Sequence, residues 1–387
     1  MIARGFDRGG YERSNAWIET AATSNPLLEA DAQDDVIQVY TSGTTGGPKG
    51  VRLTNRNYLT TFKLTTASGG LNYKSGHTVL AAMPFFHVAG VNIALIPMAS
   101  GAGRRSSGTL RRSLFDTISR ERVNQAFLAP ALIHMPMQAP GIESADLSSM
   151  TVLSYGASPI SEDLRKRASA RFRSEFIQIY GMTEVCGPGT FLASADHDPG
   201  RGKLRSCGVA LAGVELKIVA ADGAEVQKGA VGEVVIRSPT VMKSYWNKPD
   251  ATAASIRDDW MRTGDAAYMD EDGYVFIYDR VKDMIVTGGE NVYPAEVENA
   301  IFGHPALADA AVVGVPDDTW RGGEGDRCLE ARRAAADIIA WARARIANFK
   351  TPKSVDFVDL IPHNLPGKIL RRELRETYWT GRDRRVN

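Results

Sequence analysis

Cysteine is scarce: Cys186, Cys207 and Cys328 are the three thiols in 387 residues, and none forms a C-x-x-C pair or a zinc-ligand spacing. That excludes a disulfide scaffold and points to a reducing compartment, read here as the cytoplasm. Net charge is lacking too. The 46 Lys+Arg against 45 Asp+Glu leave +1, so no global field draws the chain to nucleic acid or anionic lipid. Residues 1–15 are charged and Gly-rich and lack the apolar core of a signal peptide. Between Lys74 and Arg104 charge vanishes over a stretch approaching transmembrane length. That stretch holds Pro84, His87, Asn92 and Pro97, each awkward in lipid. It reads as a buried strand (residues 78–83), a turn and a buried helix (residues 88–99), so no transmembrane segment is expected. What is present is globular: 43% hydrophobic and 24% charged, in a length that suits two or three domains with cores of their own.

Apolar runs suggestive of strands occupy residues 36–40, 126–129, 151–155 and 176–180, with helical patterns between them, such as residues 162–172. That alternation predicts α/β layers around a largely parallel sheet. Beyond about Gly208 the texture changes. Short β runs at 214–219, 232–237 and 274–278 are separated by Asp222-Gly223 and Asp272-Gly273 turns, the pattern of a small antiparallel subdomain. The last hundred or so residues read as α+β: a strand at 310–315, a helix at 337–348, a strand at 355–358 and a basic helix near 370–378. No internal repeat or low-complexity tract occurs.

The strongest local signal is Tyr40-Thr41-Ser42-Gly43-Thr44-Thr45-Gly46-Gly47-Pro48-Lys49-Gly50, after a β run and before a helix-like segment starting near Thr54-Asn55. Glycines let backbone N–H groups turn toward an anion, while hydroxyls and a lysine add donors and charge. It is not a Walker A loop. Counted from Gly43, Pro48 takes the second glycine position and Gly50 the place of the Mg2+-binding Ser/Thr.

With this loop come, in order, Pro84-Phe85-Phe86-His87-Val88-Ala89-Gly90, Tyr155-Gly156-Ala157-Ser158-Pro159, Tyr180-Gly181-Met182-Thr183-Glu184 and Arg262-Thr263-Gly264-Asp265. Asp279-Arg280-Val281-Lys282-Asp283, Gly288-Gly289-Glu290-Asn291-Val292-Tyr293-Pro294 and Leu365-Pro366-Gly367-Lys368-Ile369 complete the series. Together they resemble the adenylate-forming superfamily of acyl-CoA synthetases, peptide-synthetase adenylation domains and luciferases, over roughly residues 34–378. The resemblance implies a large multi-layer α/β N-terminal domain with a small β subdomain (1–281) and a small mobile α+β C-terminal domain (282–387).

It also implies a two-step reaction with ATP, Mg2+ and coenzyme A. A carboxylate attacks the α-phosphorus of ATP, and a thiol then displaces AMP. By resemblance Thr41, Ser42, Gly43, Thr44, Thr45, Gly46 and Lys49 bind the β- and γ-phosphates, Glu184 ligates Mg2+ and Thr183 donates to the α-phosphate. Tyr180, beside Gly181, offers a stacking face for adenine, and Gly156, Ala157 and Ser158 bring backbone close to the ring. Asp265, assisted by Arg280, takes the ribose hydroxyls. Lys368 reaches the carboxylate and the α-phosphate. A unit charge at about 4 Å and effective dielectric near 20 is worth ~4 kcal/mol, about a thousandfold in rate if expressed in the transition state. Lys282 matches the hinge, Gly288 and Gly289 the loop that swings toward the thiol channel, and His87 the gate between acyl pocket and nucleotide. Residues 288–298 look more like fatty-acyl and aryl-CoA synthetases than peptide-synthetase domains. The uncharged stretch 75–103 and the small residues from Cys186 to Gly189 suit an uncharged, fairly long or bulky acyl chain. A carboxylic, most simply fatty, acid is thus the expected substrate, and a homo-oligomer is compatible with the pattern.

Three departures stand against the family pattern. Forty residues precede the phosphate loop, where the family carries well over a hundred, so most of one N-terminal subdomain is expected to be missing and the surviving sheet to have an uncovered edge or an exposed apolar face. Residues 103–109 and 320–327 are Arg/Gly-rich and are expected not to alternate as strands, as a truncated or frame-disturbed coding sequence would have them. Two alternatives to CoA ligation follow: an impaired remnant, or transfer of the acyl group to a carrier protein's phosphopantetheine.

Overall fold

The structure, a computed structural model, describes residues 2–3, 12–13, 19–24, 27, 29–41, 47–67, 71–106, 114–138, 144–158, 160, 162–287, 290–307, 309–315, 329–363 and 369–379. Short strands β1 (Ile2–Ala3) and β2 (Glu12–Arg13) pair in parallel. β3 (Asp35–Thr41) and β4 (Lys49–Thr54) form an antiparallel hairpin in which Thr41 stands opposite Lys49. The phosphate-loop string therefore joins two strands, and the helix expected near Thr54-Asn55 follows the second of them. The reason is period: Val51 and Leu53 alternate with Arg52 and are fully buried, so the chain runs extended until α1 (Asn55–Ala67) begins.

The main sheet comprises β5 (Thr78–Ala81), β6 (Gly103–Ser106), β7 (Gln125–Leu128), β8 (Val152–Gly156), β9 (Glu175–Met182), β10 (Gly187–Leu192) and β11 (Val209–Ala210). Its order is β11-β10-β9-β8-β7-β5-β6, parallel from β6 to β9 and antiparallel at β10 and β11. Strand pleating sends Val79, Phe127, Val152 and Ile177 into one core and Leu80, Ala126, Leu128, Leu153, Tyr155 and Phe176 into another. The first core is closed by α1 and α2 (Val88–Ala99) through Tyr58, Val88, Ile93 and Ile96. The second is closed by α3 (Leu114–Arg120), α4 (Pro130–His134) and α5 (Glu162–Phe172) through Phe115, Ile118, Ile133, Leu164 and Phe172. Burial on both faces is what lets its strands read as near-continuous apolar runs.

Residues 103–106, expected not to form a strand, are the edge strand β6, paired in parallel with β5. An edge strand bonds on one side only, so its backbone can pair without an apolar alternation. The rest of that segment, and residues 320–327, lie outside the described residues.

The small antiparallel sheet appears as expected. It orders β12 (Glu215–Val219), β13 (Gly232–Arg237), β16 (Trp260–Met269) and β15 (Ile256–Arg257), with β17 (Val275–Arg280) on β16. Strand β14 (Ser244–Tyr245) instead joins β4, and helix α6 (Pro249–Ser255) follows it. On this β14-β4-β3 sheet Val39, Val51 and Tyr245 are buried, whereas Val36, Tyr40 and Trp246 are exposed apolar surface. The C-terminal part contains the hairpin β18 (Ile285–Thr287) and β19 (Glu290–Val292), then α7 (Pro294–Ile301), α8 (Leu329–Arg343) and α9 (Arg371–Trp379). Ile301, Ala310, Ile338 and Ala342 are its core. The helix expected at 337–348 starts and ends earlier, as α8. The strands expected at 310–315 and 355–358 do not form. The Val312 N–H goes to the Glu298 carboxylate instead of a neighbouring strand, and Phe357 and Val358 remain exposed. Among the described residues no helix is long and apolar enough to cross a membrane.

Candidate active site

Three walls enclose a cleft of 970 Å³. The first is α2. His87 precedes it with extended backbone, and its Nδ1 accepts the Ala89 N–H at 3.1 Å, capping the helix. Burial holds the His87 pKa below the usual histidine value, which favours the neutral ring that such an acceptor needs. One turn apart, Val88 and Ala89, Asn92 and Ile93, then Ile96 line the cleft, so this face is apolar except at Asn92. The Asn92 Nδ2 donates to the Cys186 carbonyl at 2.9 Å.

The second wall is the passage from β9 to β10. A Cβ on Gly181 would lie 1.8 Å from the Gly187 carbonyl oxygen, so the strands approach closer than any side chain allows. Between them Thr183 and Glu184 sit on a single 3-10 turn, both buried, and both line the cleft. The turn ends at Cys186 with φ of 57° and Gly187 with φ of 116°. The Tyr245 hydroxyl donates to Glu184 Oε1 at 2.8 Å, and Lys49 Nζ lies 4.9 Å above the Tyr245 ring. Strands β4 and β14 thus bring a lysine, a phenol and a carboxylate into one row.

The third wall comes from register. Asp265 on β16 pairs with Arg280 on β17, and Arg280 Nε lies 2.9 Å from Asp265 Oδ1. The Tyr180 hydroxyl donates to Asp265 Oδ2 at 2.7 Å. Burial, with Asp265 beside it, pushes the Tyr180 phenol well above its ordinary value, so the phenol remains a donor. Arg280 Nη1 donates to the Thr263 carbonyl at 2.8 Å. At the end of β8, a Cβ on Gly156 would meet the Ile179 carbonyl oxygen at 2.1 Å. Ala157 follows in a left-handed conformation, φ 66°, a backbone state that non-glycine residues adopt at a cost.

Of the residues singled out in the sequence, the cleft is lined by Thr41, Lys49, His87, Ala157, Gly181, Thr183, Glu184, Arg280 and Lys282. Tyr180 and Asp265 stand behind Arg280, and Gly156 and Ser158 flank Ala157. Burial lowers the Lys282 pKa. Residues 42–46, Gly288, Gly289 and Lys368 lie outside the described residues. Tyr245 and Asn92 were not singled out, and no local string marks either one. Glu184 suits Mg2+. It is a buried carboxylate beside the cleft, and a cation that takes most ligands from phosphate and water needs only one or two protein oxygens.

Residues 7–246 match the profile of the AMP-binding enzyme family. The chain belongs to that family. Residues 296–368 match the AMP-binding enzyme C-terminal domain. The chain is 40% identical over 382 residues to the fatty acid–[acyl-carrier-protein] ligase ScoC of Streptomyces coeruleorubidus, spanning 96% of this chain and 73% of that protein. It is 37% identical to a feruloyl-CoA synthase of an Amycolatopsis species, spanning 93% and 73%. The solved anthranilate CoA ligase AuaEII in complex with anthranoyl-AMP superposes with a TM-score of 0.85 at 28% identity, covering 96% of this chain and 72% of that one. The chain is an adenylate-forming, acid-activating ligase with a large N-terminal and a smaller C-terminal domain.

Proposed function

We propose that the cleft joins a fatty or related carboxylic acid to ATP and passes the acyl group to coenzyme A. A carboxylate oxygen bonds to the α-phosphorus as the bond to the bridging oxygen of pyrophosphate breaks. The thiol sulfur then bonds to the acyl carbon, AMP leaves with the electron pair, and the thiol proton goes to solvent. The observation that carries this reading is the meeting, in one cleft, of the Lys49–Tyr245–Glu184 row, Arg280 backed by Asp265, and the apolar face of α2.

Each wall has a task in this scheme. Lys49, with the 42–46 string, offers positive charge and donors to the departing pyrophosphate. Thr183 donates to the α-phosphate, and Glu184, oriented by Tyr245, holds Mg2+. That ion neutralises developing phosphate charge when bound. Asp265, held by Tyr180 and Arg280, accepts the ribose hydroxyls. Lys368 bridges carboxylate and α-phosphate, His87 borders the acyl side, and Gly288 and Gly289 face the thiol. The domains divide at 281/282, with Lys282 as hinge. A carrier-protein phosphopantetheine is the second reading for the acceptor, favoured by the 40% identity to an acyl-carrier-protein ligase.

Carboxylate-dependent ATP–pyrophosphate exchange over aliphatic and aryl acids, with Lys368→Ala as control, tests the first step. Exchange lost in that variant is expected. Folded protein inert toward every acid would overturn the reading in favour of an impaired remnant. Adding coenzyme A or a phosphopantetheinylated carrier to the exchanging enzyme then separates the two acceptors.

A further inference from the structure

Strand β16 is irregular where it borders the cleft. Val235 on β13 stands opposite Arg262, and Glu233 stands opposite Ala266. The step from 233 to 235 on β13 thus spans 262 to 266 on β16, so β16 carries extra residues between these pairs. They make a bulge around Thr263 and Gly264, with Gly264 at φ 73°, a conformation that suits glycine. Arg262, Thr263, Gly264 and, from across the bulge, Glu233 all line the cleft.

A bulge takes backbone groups out of the ladder, and these must find other partners. Side chains supply them here. Glu233 Oε1 accepts the Gly264 N–H at 3.0 Å. Thr263 Oγ1 accepts the Asp265 N–H at 3.1 Å and donates to the Val234 carbonyl at 2.8 Å. The other Glu233 oxygen, Oε2, accepts from Arg262 Nε at 2.9 Å and Nη2 at 2.5 Å, which fixes the orientation of the carboxylate itself. The Gly264 N–H and the Thr263 carbonyl belong to one peptide plane, and that carbonyl accepts from Arg280 Nη1 at 2.8 Å. The plane is therefore held by Glu233 at one end and Arg280 at the other. Arg280 Nε in turn lies 2.9 Å from Asp265 Oδ1. One peptide and one guanidinium connect Glu233 to the Asp265 carboxylate.

We infer that Glu233 is a positioning residue for the ribose of the nucleotide. By holding the Thr263–Gly264 peptide it sets where Arg280, and the Asp265 carboxylate that Arg280 clasps, stand at the cleft. The inference rests on the proposed role of Asp265. Oδ1 of that residue pairs with Arg280 and Oδ2 accepts from Tyr180. A carboxylate has about four acceptor sites, so each oxygen can still take a ribose hydroxyl. Glutamine at 233 keeps the shape but not the bonds. Its amide offers one acceptor oxygen and one NH2, whereas Gly264 and Arg262 both present donors. One of the two loses its acceptor, and the peptide is no longer held from both ends.

The test is direct titration of the full chain with ATP and with 2′,3′-dideoxy-ATP, each with Mg2+, in wild type, Glu233→Gln and Glu233→Asp. The aspartate variant keeps the charge but draws it back by one methylene, and it remains informative if the glutamine variant does not fold. Hydrogen bonds to a charged group are worth about tenfold or more in affinity. Wild type is therefore expected to bind ATP at least about tenfold tighter than the dideoxy nucleotide. In either variant that ratio should shrink to about threefold or less, through weaker ATP binding, with dideoxy-ATP within about twofold of wild type. In ATP–pyrophosphate exchange the KM for ATP should rise while kcat stays within about twofold. A folded variant that keeps the full ratio would overturn the role of Glu233. Equal losses for both nucleotides would overturn it as well, since general damage to the fold takes no account of ribose hydroxyls. A wild type that binds the two nucleotides equally, or neither, would overturn the ribose assignment of Asp265 and this role with it, an outcome distinct from a discriminating wild type with indifferent variants.

Discussion

His87 has a structural duty alongside its proposed place at the acyl pocket, because its Nδ1 caps α2 through the Ala89 N–H. A lost cap costs about 1 kcal/mol, so His87→Ala should destabilise by about that amount and His87→Asn, which keeps an acceptor, by less. The pH dependence has a defined sign. The folded pKa is lowered by burial from 6.5, so the unfolded chain takes up the proton first as pH falls. This contribution is fully present above 6.5 and is lost as pH falls through that value toward the folded pKa. Denaturant melts of wild type and His87→Asn should diverge over that acidic window, with wild type losing more; parallel curves would show that His87 is not desolvated. The thiols give a second residue-scale test. Burial pushes Cys186 and Cys207 up to about 12, leaving about one thiolate in ten thousand at pH 8. In a Cys328→Ser background, native protein should resist alkylation and unfolded protein should take up two equivalents. Rapid native labelling at either site would contradict this burial.

At the scale of elements, α1 is locked to the loop before β14 by one buried side chain. Asn57 Nδ2 donates to the carbonyls of Pro239 and Val241, both at 2.8 Å, while its Oδ1 accepts the Thr54 N–H at 2.8 Å. Asn57→Ala would strip partners from three backbone groups in a buried setting. At ~1 kcal/mol or more for each unsatisfied group, a loss of about 3 kcal/mol is expected, read as a lowered denaturant midpoint with unchanged m. A loss below about 1 kcal/mol would mean that water replaces the amide. Such links explain what was legible in the sequence and what was not. Helices Val88–Ala99 and Glu162–Phe172 have the expected bounds, the first because it is a nearly continuous apolar segment, the second because Leu164, Ala168 and Phe172 recur every four residues in an otherwise polar one. The β3–β4 hairpin was not legible because β4 alternates over only Val51, Arg52 and Leu53 before α1 begins at Asn55, too short a period to separate from the turn before it. β6 was missed because edge pairing leaves no apolar signature. The cleft motifs were legible as strings. The Tyr245–Glu184 bond was not, since it joins residues 61 positions apart through a β14–β4 pairing that no local pattern encodes.

Across the whole molecule the two parts differ in how much they bury. The large part has a sheet with cores on both faces, whereas Ile301, Ala310, Ile338 and Ala342 form the described C-terminal core. Local opening should therefore cost less in the C-terminal part, and its amides in α7 and α8 should exchange faster than those of β7, β8 and β9. If nucleotide and acid engage both parts, as the proposed roles of Asp265 and Lys368 require, ligand binding should protect the weaker part most. A ligand at a hundred times its Kd adds about 2.7 kcal/mol, about a hundredfold slower exchange through any opening that destroys the site. Hydrogen exchange with and without ATP, Mg2+ and acid tests this at each amide. Ala295 is the most informative position, since its N–H, in the first turn of α7, is held by Asp279 on β17 of the small antiparallel sheet. Added protection confined to the large part would mean that the C-terminal part opens without disturbing the site, and the lysine on the 364–368 segment would then have no share in holding the substrates.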